Sequence, residues 1–279
     1  MSRTDWTDEK LISRLINNKS DRSHWDNIHV LRKRPSQGLF LKCVELTQSK
    51  DQKIRRIGID ILAQFGLPQR LFLKQTLELY FDLLNIETEP KVLRSLLYAI
   101  GYNNNKLNKG QIEKLCTFSD NENELVKEGL VFSLISIDNK KAIETLIKLT
   151  KDKLSHIRNW ATFGIGTQIG RDDKNIREAL WCRINDKHQE TKLEAVVGLA
   201  KRKDSRIIEI IKRELMDGEH GTLLFEAIIE TGDKGFLPLL RKNLKSIKED
   251  ININPEWKTD LENCIDELTK LTNESRTTS

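Results

Sequence analysis

Apolar residues recur along this chain at i, i+3, i+4 and i+7 almost from end to end, while residue-by-residue alternation of apolar and polar is nearly absent. That is the periodicity of helices and not of strands. The apolar stretches, about 12–15 residues each, are separated by short polar runs such as TQSKDQK, FSDNEN, SIDNKK, GRDDKN, KRKDS and ETGDKG. Asn, Asp and Ser in those runs can accept hydrogen bonds from the first free N–H groups of a helix, so each run predicts one helix ending and the next being capped. Connections this short make consecutive helices antiparallel. The pattern therefore predicts an all-α chain.

The helices also repeat. Six segments align without gaps: IRRIGIDILA from Ile54, VLRSLLYAIG from Val92, VKEGLVFSLI from Val126, IRNWATFGIG from Ile157, TKLEAVVGLA from Thr191 and, more weakly, HGTLLFEAII from His220. Their starts are 38, 34, 31, 34 and 29 residues apart. Such a period describes helical hairpins, each burying its apolar face against the next. First helices run between them, as in KKAIETLIKLT, NIREALWCRI, DSRIIEIIKREL and DKGFLPLLRKNL, the last with Pro238 early in its helix.

These residues resemble HEAT repeats: Asp51, Ile54, Arg55, Gly58, Ile61, Leu62 and Ala63 follow the spacing of the family pattern D-x-x-V-R-x-x-A-x-x-A-L-G. The stretches HWDNIHVLRKR, IRNWATFGIGTQ and IREALWCRINDKHQETKLEAVVGLAKRKDSR are similar to bacterial HEAT-repeat domain proteins, with repeats like those of phycobilisome lyases. The resemblance covers about residues 23–245. It implies an α-α superhelix, a right-handed HEAT-like solenoid, and it implies a scaffold more than an activity. The chain departs from the family in its asparagine-rich turn at 103–108, in keeping the repeat Asp only at Asp51, and in Ile, Leu or Val at several alanine positions. Irregular spacing or twist is expected around the second and third repeats.

The ends do not follow the repeat, and the expected organisation has three parts. Residues 1–22 form an N-terminal capping helix and tail, 23–248 the repeat solenoid, and 249–279 a linker, a C-terminal capping helix and a disordered tail. Within 5–18, Leu11, Ile12, Leu15 and Ile16 share one helix face. After the connector KEDININ, Asn254 and Pro255 suit the cap and first position of a helix striped with Trp257, Leu261, Cys264, Ile265, Leu268 and Leu271. The tail ESRTTS reads as disordered.

Composition narrows the class. With 279 residues, 38% of them hydrophobic and 32% charged, the chain can bury a real core and remain soluble. No apolar run approaches the roughly 18 residues of a membrane span, and MSRTDWTDEKL lacks a signal peptide's apolar segment. A cytoplasmic protein with no membrane contact is expected. The four cysteines, Cys43, Cys116, Cys182 and Cys264, lie 66 to 82 residues apart and read as buried thiols, not disulfides or zinc ligands. A formal net charge of +5 spread along the chain permits a nucleic-acid partner without arguing for one.

Candidate chemistry is sparse. Gly164, Gly166 and Gly170 follow Trp160 with spacing G-x-G-x-x-x-G, which is neither a dinucleotide fingerprint nor a P-loop. They read as small residues that let inner helices approach closely, each interior glycine giving up about 1 kcal/mol of helix propensity. The five histidines, His24, His29, His156, His188 and His220, include no His-Glu pair of the kind that recurs in helical-repeat di-iron hydroxylases, so no metal site and no cofactor is expected. Asp172-Asp173, Asp8-Glu9 and Glu249-Asp250 read as capping residues that complement helix dipoles. Alkylpurine DNA glycosylases with helical repeats set an aspartate near a tryptophan, whereas here Gly164 stands one turn after Trp160. Trp160 itself reads as packing between repeats.

A surface remains. At about 100° per residue, the third and seventh residues of each inner helix point away from its core stripe. The seventh positions are Asp60, Tyr98, Phe132, Phe163, Val197 and Glu226; the third are Arg56, Arg94, Glu128, Asn159 and Leu193. Three consecutive aromatics beside two arginines suit an interface, since aromatic and Arg side chains are its usual anchors. They equally suit packing against the adjacent hairpin. The reading is a non-catalytic scaffold or adaptor that binds another protein through its concave face, with Arg56, Arg94, Tyr98, Phe132 and Phe163 as partner-binding residues. Nucleic-acid binding through Arg55, Arg56, Arg94, Lys127 and Arg158 is the alternative, against which stands local pairing of the basic residue that follows each repeat's first apolar position. A glycosylase-like or bilin-lyase-like enzyme rests on shared repeat architecture alone.

Overall fold

The computed structural model describes residues 2–17, 20–217, 221–247 and 253–277, the side chains of 21 and 271–277 excepted. Sixteen α-helices and no strand occur among the described residues, and the fold is an all-α helical repeat of the α-α superhelix class. Contacts divide the chain into two compact units, residues 1–145 and 146–279, a boundary that falls inside the 23–248 repeat segment.

In the first unit the order is α1 (Asp8–Asn17), α2 (Asp21–Arg32), α3 (Gln37–Thr47), α4 (Gln52–Leu62), α5 (Leu73–Ile86), α6 (Pro90–Gly101), α7 (Lys109–Cys116) and α8 (Glu124–Leu134). Helices α4, α6 and α8 are the inner ladder, each packed on the next, and α3, α5 and α7 lie against them as first helices. This follows from the segments aligned from Ile54, Val92 and Val126, whose first apolar residues begin stripes such as Val92, Leu93, Leu96, Leu97 and Ile100 that are 0–5% exposed. Side chains so buried each contribute roughly 1.5–3 kcal/mol relative to exposure. Helix α2 also packs on α4, which makes it a further rung of the ladder that the repeat alignment does not include.

Helix α9 (Lys140–Leu149) crosses the boundary, and α10 (Ser155–Phe163), α11 (Lys174–Trp181), α12 (Gln189–Lys201), α13 (Ile208–Asp217), α14 (Thr222–Thr231), α15 (Leu237–Ser246) and α16 (Pro255–Thr277) form the second unit. Here α10, α12 and α14 are the inner ladder, flanked by α11 and α13. Helix α16 packs on α14 and α15 through Leu261, Cys264 and Leu268, all 0% exposed, with Trp257 tilted against Phe225 at 5.4 Å. It runs on through 274–277, a stretch read as disordered tail. His220, Glu249-Asp250 and most of the connector KEDININ lie outside the described residues.

Side chains stitch neighbouring rungs at both ends. At the inner-helix starts, Arg55 makes a two-pronged bond with Glu87 at 2.8 and 3.2 Å and Arg158 one with Asp186 at 2.9 and 2.8 Å. Each also donates to two backbone carbonyls of the turn before its helix. These are the local pairs weighed against nucleic-acid binding. At the far ends, the asparagine-rich turn earns its length: Asn103 Nδ2 donates to the carbonyls of Ala63 and Ala99, and Asn104 Nδ2 to those of Ser133 and Ile135.

The glycine cluster ends α10 as a π-turn, Gly164–Gln168, rather than as continued α-helix. A Cβ on Gly198 of α12 would stand 2.6 Å from the Gly166 Cα, so the two rungs meet backbone to backbone there. Gly170 has open space around it and serves no such approach. Asp173 caps α11 through the Ile176 N–H at 3.0 Å, and Asp172 pairs instead with Arg177. Two expectations are corrected. Trp160 is 47% exposed, edge-on to Phe163 rather than enclosed between repeats. Cys182, the C-cap residue just past the end of α11, is exposed because it lies beyond the packed face of that helix, whereas Cys43, Cys116 and Cys264 are buried; burial pushes the Cys43 and Cys264 thiols up to about 12.

Candidate functional site

A cleft of about 400 Å³ opens in the first unit, at the lower end of ordinary ligand-pocket volumes. Helix α2 supplies Trp25 and Arg32, α4 supplies Arg56 and Asp60, and α6 supplies Lys91, Arg94, Ser95 and Tyr98, followed by Tyr102. The placement follows from helix geometry: Trp25 and Arg32, seven residues apart, share one face of α2, as Arg56 and Asp60 do on α4 and Lys91, Arg94 and Tyr98 on α6.

Three predicted residues, Arg56, Arg94 and Tyr98, are brought together here. Arg94 forms an ion pair with Glu128 of α8 at 2.9 Å and its guanidinium carbon lies 5.3 Å from the Tyr98 ring centre. The Tyr98 hydroxyl donates to the same carboxylate at 2.8 Å. Burial, together with that bond, holds the phenol protonated with its pKa raised to about 12. Arg56 Nε donates to Ser95 Oγ at 3.2 Å.

Phe132 lies behind the wall and not in it. Its ring stacks on Tyr98 at 4.5 Å and meets the edge of Tyr102 at 5.4 Å. A Cβ on Gly101 would come within 2.5 Å of that ring, so the absence of a side chain there lets Phe132 brace the two tyrosines. Phe163 belongs to the second unit, against Trp160, and is no part of this cleft. Of the other seventh-position residues, Asp60 lines the cleft but is only 7% exposed, with His24 and Arg32 of the preceding rung α2 against it, and Val197 is fully buried, so the outward angle read from the helical wheel does not leave the side chain in solvent in those places.

Sequence reasoning missed Trp25, Arg32, Lys91 and Tyr102. Trp25 and Tyr102 are 44% and 49% exposed, unusual for such large rings. Arg32 is buried, donating Nε and Nη2 to the Asp60 carbonyl at 3.1 and 2.7 Å and Nη1 to Gln64. Burial lowers its pKa, with Asp60 opposing. Its guanidinium carbon stands 5.7 Å from the Trp25 ring centre, and His24 faces the Asp60 carboxylate at 3.6 Å. The seven-residue spacing of Trp25 and Arg32 was the available signal, in a helix the repeat alignment left out.

No protein-family model matches the chain. Over 238 residues it is 28% identical to protein YibA of Escherichia coli K12, a match covering 81% of this chain and 81% of YibA. The crystal structure of E. coli YibA superposes with a TM-score of 0.74 at 24% identity, over 96% of this chain and 94% of that one, and the two share a fold. A designed armadillo repeat protein in complex with the peptide (KR)4 aligns with 68% of this chain and 97% of its own at a TM-score of 0.45 and 17% identity, too loose a match to bear on function. Among the described residues no helix is long and apolar enough to cross a membrane.

Proposed function

We propose that this chain is a HEAT-like scaffold or adaptor that binds another protein, and that the cleft over α2, α4 and α6 is where it does so. The observation that carries this reading is the pair of exposed rings, Trp25 and Tyr102, set around Tyr98 and three arginines in one depression. Leaving large aromatic surface in water is unfavourable, and aromatic and Arg side chains grouped in a depression have the composition of interface hot spots. Tyr98 and Arg94 are fixed by Glu128, and Phe132 backs Tyr98, so the wall is preorganised and little ordering entropy is lost on binding.

Nucleic acid is less favoured. Of the basic residues that suggested it, Arg55, Arg94 and Arg158 are already engaged by Glu87, Glu128 and Asp186, whereas a phosphate backbone calls for a stripe of available cations.

The double substitution Trp25→Ala, Tyr102→Ala removes exposed rings and should leave folding intact. Recovery of the bound protein from host-cell lysate on the immobilised variant is expected to fall by at least about tenfold, each hot-spot ring being worth on the order of 2 kcal/mol. Equal recovery by a variant with an unchanged circular dichroism spectrum would refute this reading.

A further inference from the structure

The lining of the cleft is uneven in charge. Arg94 is neutralised by Glu128, and Arg32 is buried beside Asp60. Arg56 donates to the neutral Ser95 hydroxyl, and Lys91 is exposed; neither forms an ion pair with a carboxylate among the described residues. Two uncompensated positive charges thus face one partly desolvated depression whose rim is aromatic, where a charge acts more strongly than on open surface.

Their placement sets a spacing. Arg56 reaches Ser95, which lies one helical turn beyond Lys91 on the same face of α6. The anchor points of the two cations on α6, Lys91 itself and the Ser95 hydroxyl that holds Arg56, are therefore roughly one 5.4 Å turn apart along the helix, a separation that the long lysine side chain can adjust. Carboxylates at i and i+2 of an extended segment lie on one side of it and are about 6.6 Å apart.

Resting on the proposed function, we infer that the cleft takes an acidic, extended peptide segment, with two carboxylates at i and i+2 seated on Arg56 and Lys91 and a neighbouring large apolar side chain against Trp25, Tyr98 and Tyr102. Charge complementarity selects this occupant. A basic segment would meet two unpaired cations, and an uncharged one would leave them desolvated without partners. A nucleic acid would satisfy two phosphates and gain little more, because the other guanidiniums of the cleft are spoken for.

Selection of a displayed random-peptide library on the full-length protein tests this directly. Enrichment of sequences that pair Asp or Glu with a large apolar residue is the expected result. An enriched peptide, synthesised with a fluorescent label, should bind Arg56→Glu, Lys91→Glu on the order of 100-fold more weakly, and its Lys-for-acid counterpart should bind that variant better than the wild type. Both positions are at the surface of their helices, and circular dichroism of the variant verifies its fold. Enriched peptides without acidic residues would overturn this inference and leave the proposed function standing. No enrichment at all would overturn both. Displacement of the acidic peptide by mixed-sequence duplex DNA at about 0.15 M salt would overturn the inference in favour of nucleic acid.

Discussion

Arg202→Met is expected to lower the stability of the second unit by about 3–5 kcal/mol, among the largest effects of any single substitution in the chain. Arg202 follows α12 and is 8% exposed. Its guanidinium donates to the carbonyls of Gly166 at 2.6 Å, Gly198 and Ile165 at 2.8 Å, and Ile169 and Arg171 at 2.9 Å. These carbonyls cannot be replaced by apolar groups, so removing the donor strands buried acceptors, each at a cost of roughly 1–3 kcal/mol before relaxation. The π-turn at Gly164–Gln168 sharpens the need, because a backbone widened there leaves its last carbonyls without helical partners. Methionine keeps the aliphatic stem and isolates the polar loss. Lysine should rescue little, since one ammonium cannot reproduce a planar fork that serves five oxygens. Thermal melting followed by circular dichroism should show a decrease of roughly 10 °C, and a melting point within about 2 °C of wild type would show the guanidinium to be dispensable.

The second large effect depends on pH. Burial, then repulsion from Glu226, raises the Glu194 carboxyl to about 7 from an ordinary 4.5. Its Oε2 is buried without a hydrogen-bond partner. Because the folded-state pKa lies above the unfolded one, the native state holds its proton more tightly. The sign is therefore the reverse of the usual paired carboxylate: stability is fully present below about pH 4.5 and declines as pH rises through about 7. A shift of that size corresponds to roughly 3 kcal/mol in a fully enclosed site, and partial exposure to solvent reduces it to about 1–2 kcal/mol. Glu194→Gln is accordingly expected to be more stable than wild type at pH 8 by that amount and indistinguishable from it at pH 4.5. Paired urea titrations at the two pH values check this; a stability difference that stays constant between them would rule out ionisation of Glu194 as its source.

What could be read in the sequence was what periodicity encodes. The segments from Ile54, Val92, Val126, Ile157 and Thr191 all lie on inner helices because their small residues recur where rungs touch, and Gly166 against Gly198 shows how close that contact is. The cleft was half legible. Arg56, Arg94 and Tyr98 sit at helical positions that a wheel can place, whereas Trp25 and Arg32 lie on a helix without the small-residue pattern. A wheel also cannot tell an outward side chain from one covered by the next rung, which is why Phe132 and Tyr98, equivalent in register, became brace and wall. Tyr102 lies past the end of its aligned segment, where register no longer assigns a face.

A photo-crosslinking amino acid placed at position 102, which is 49% exposed, compared with one at the still more accessible position 86 on α5, 76% exposed, tests the central claim most directly. Illumination of the full-length protein in host-cell lysate is predicted to give a covalent adduct with one protein from position 102 and none from position 86. Adducts from position 86 with none from position 102 would contradict a binding site over α2, α4 and α6.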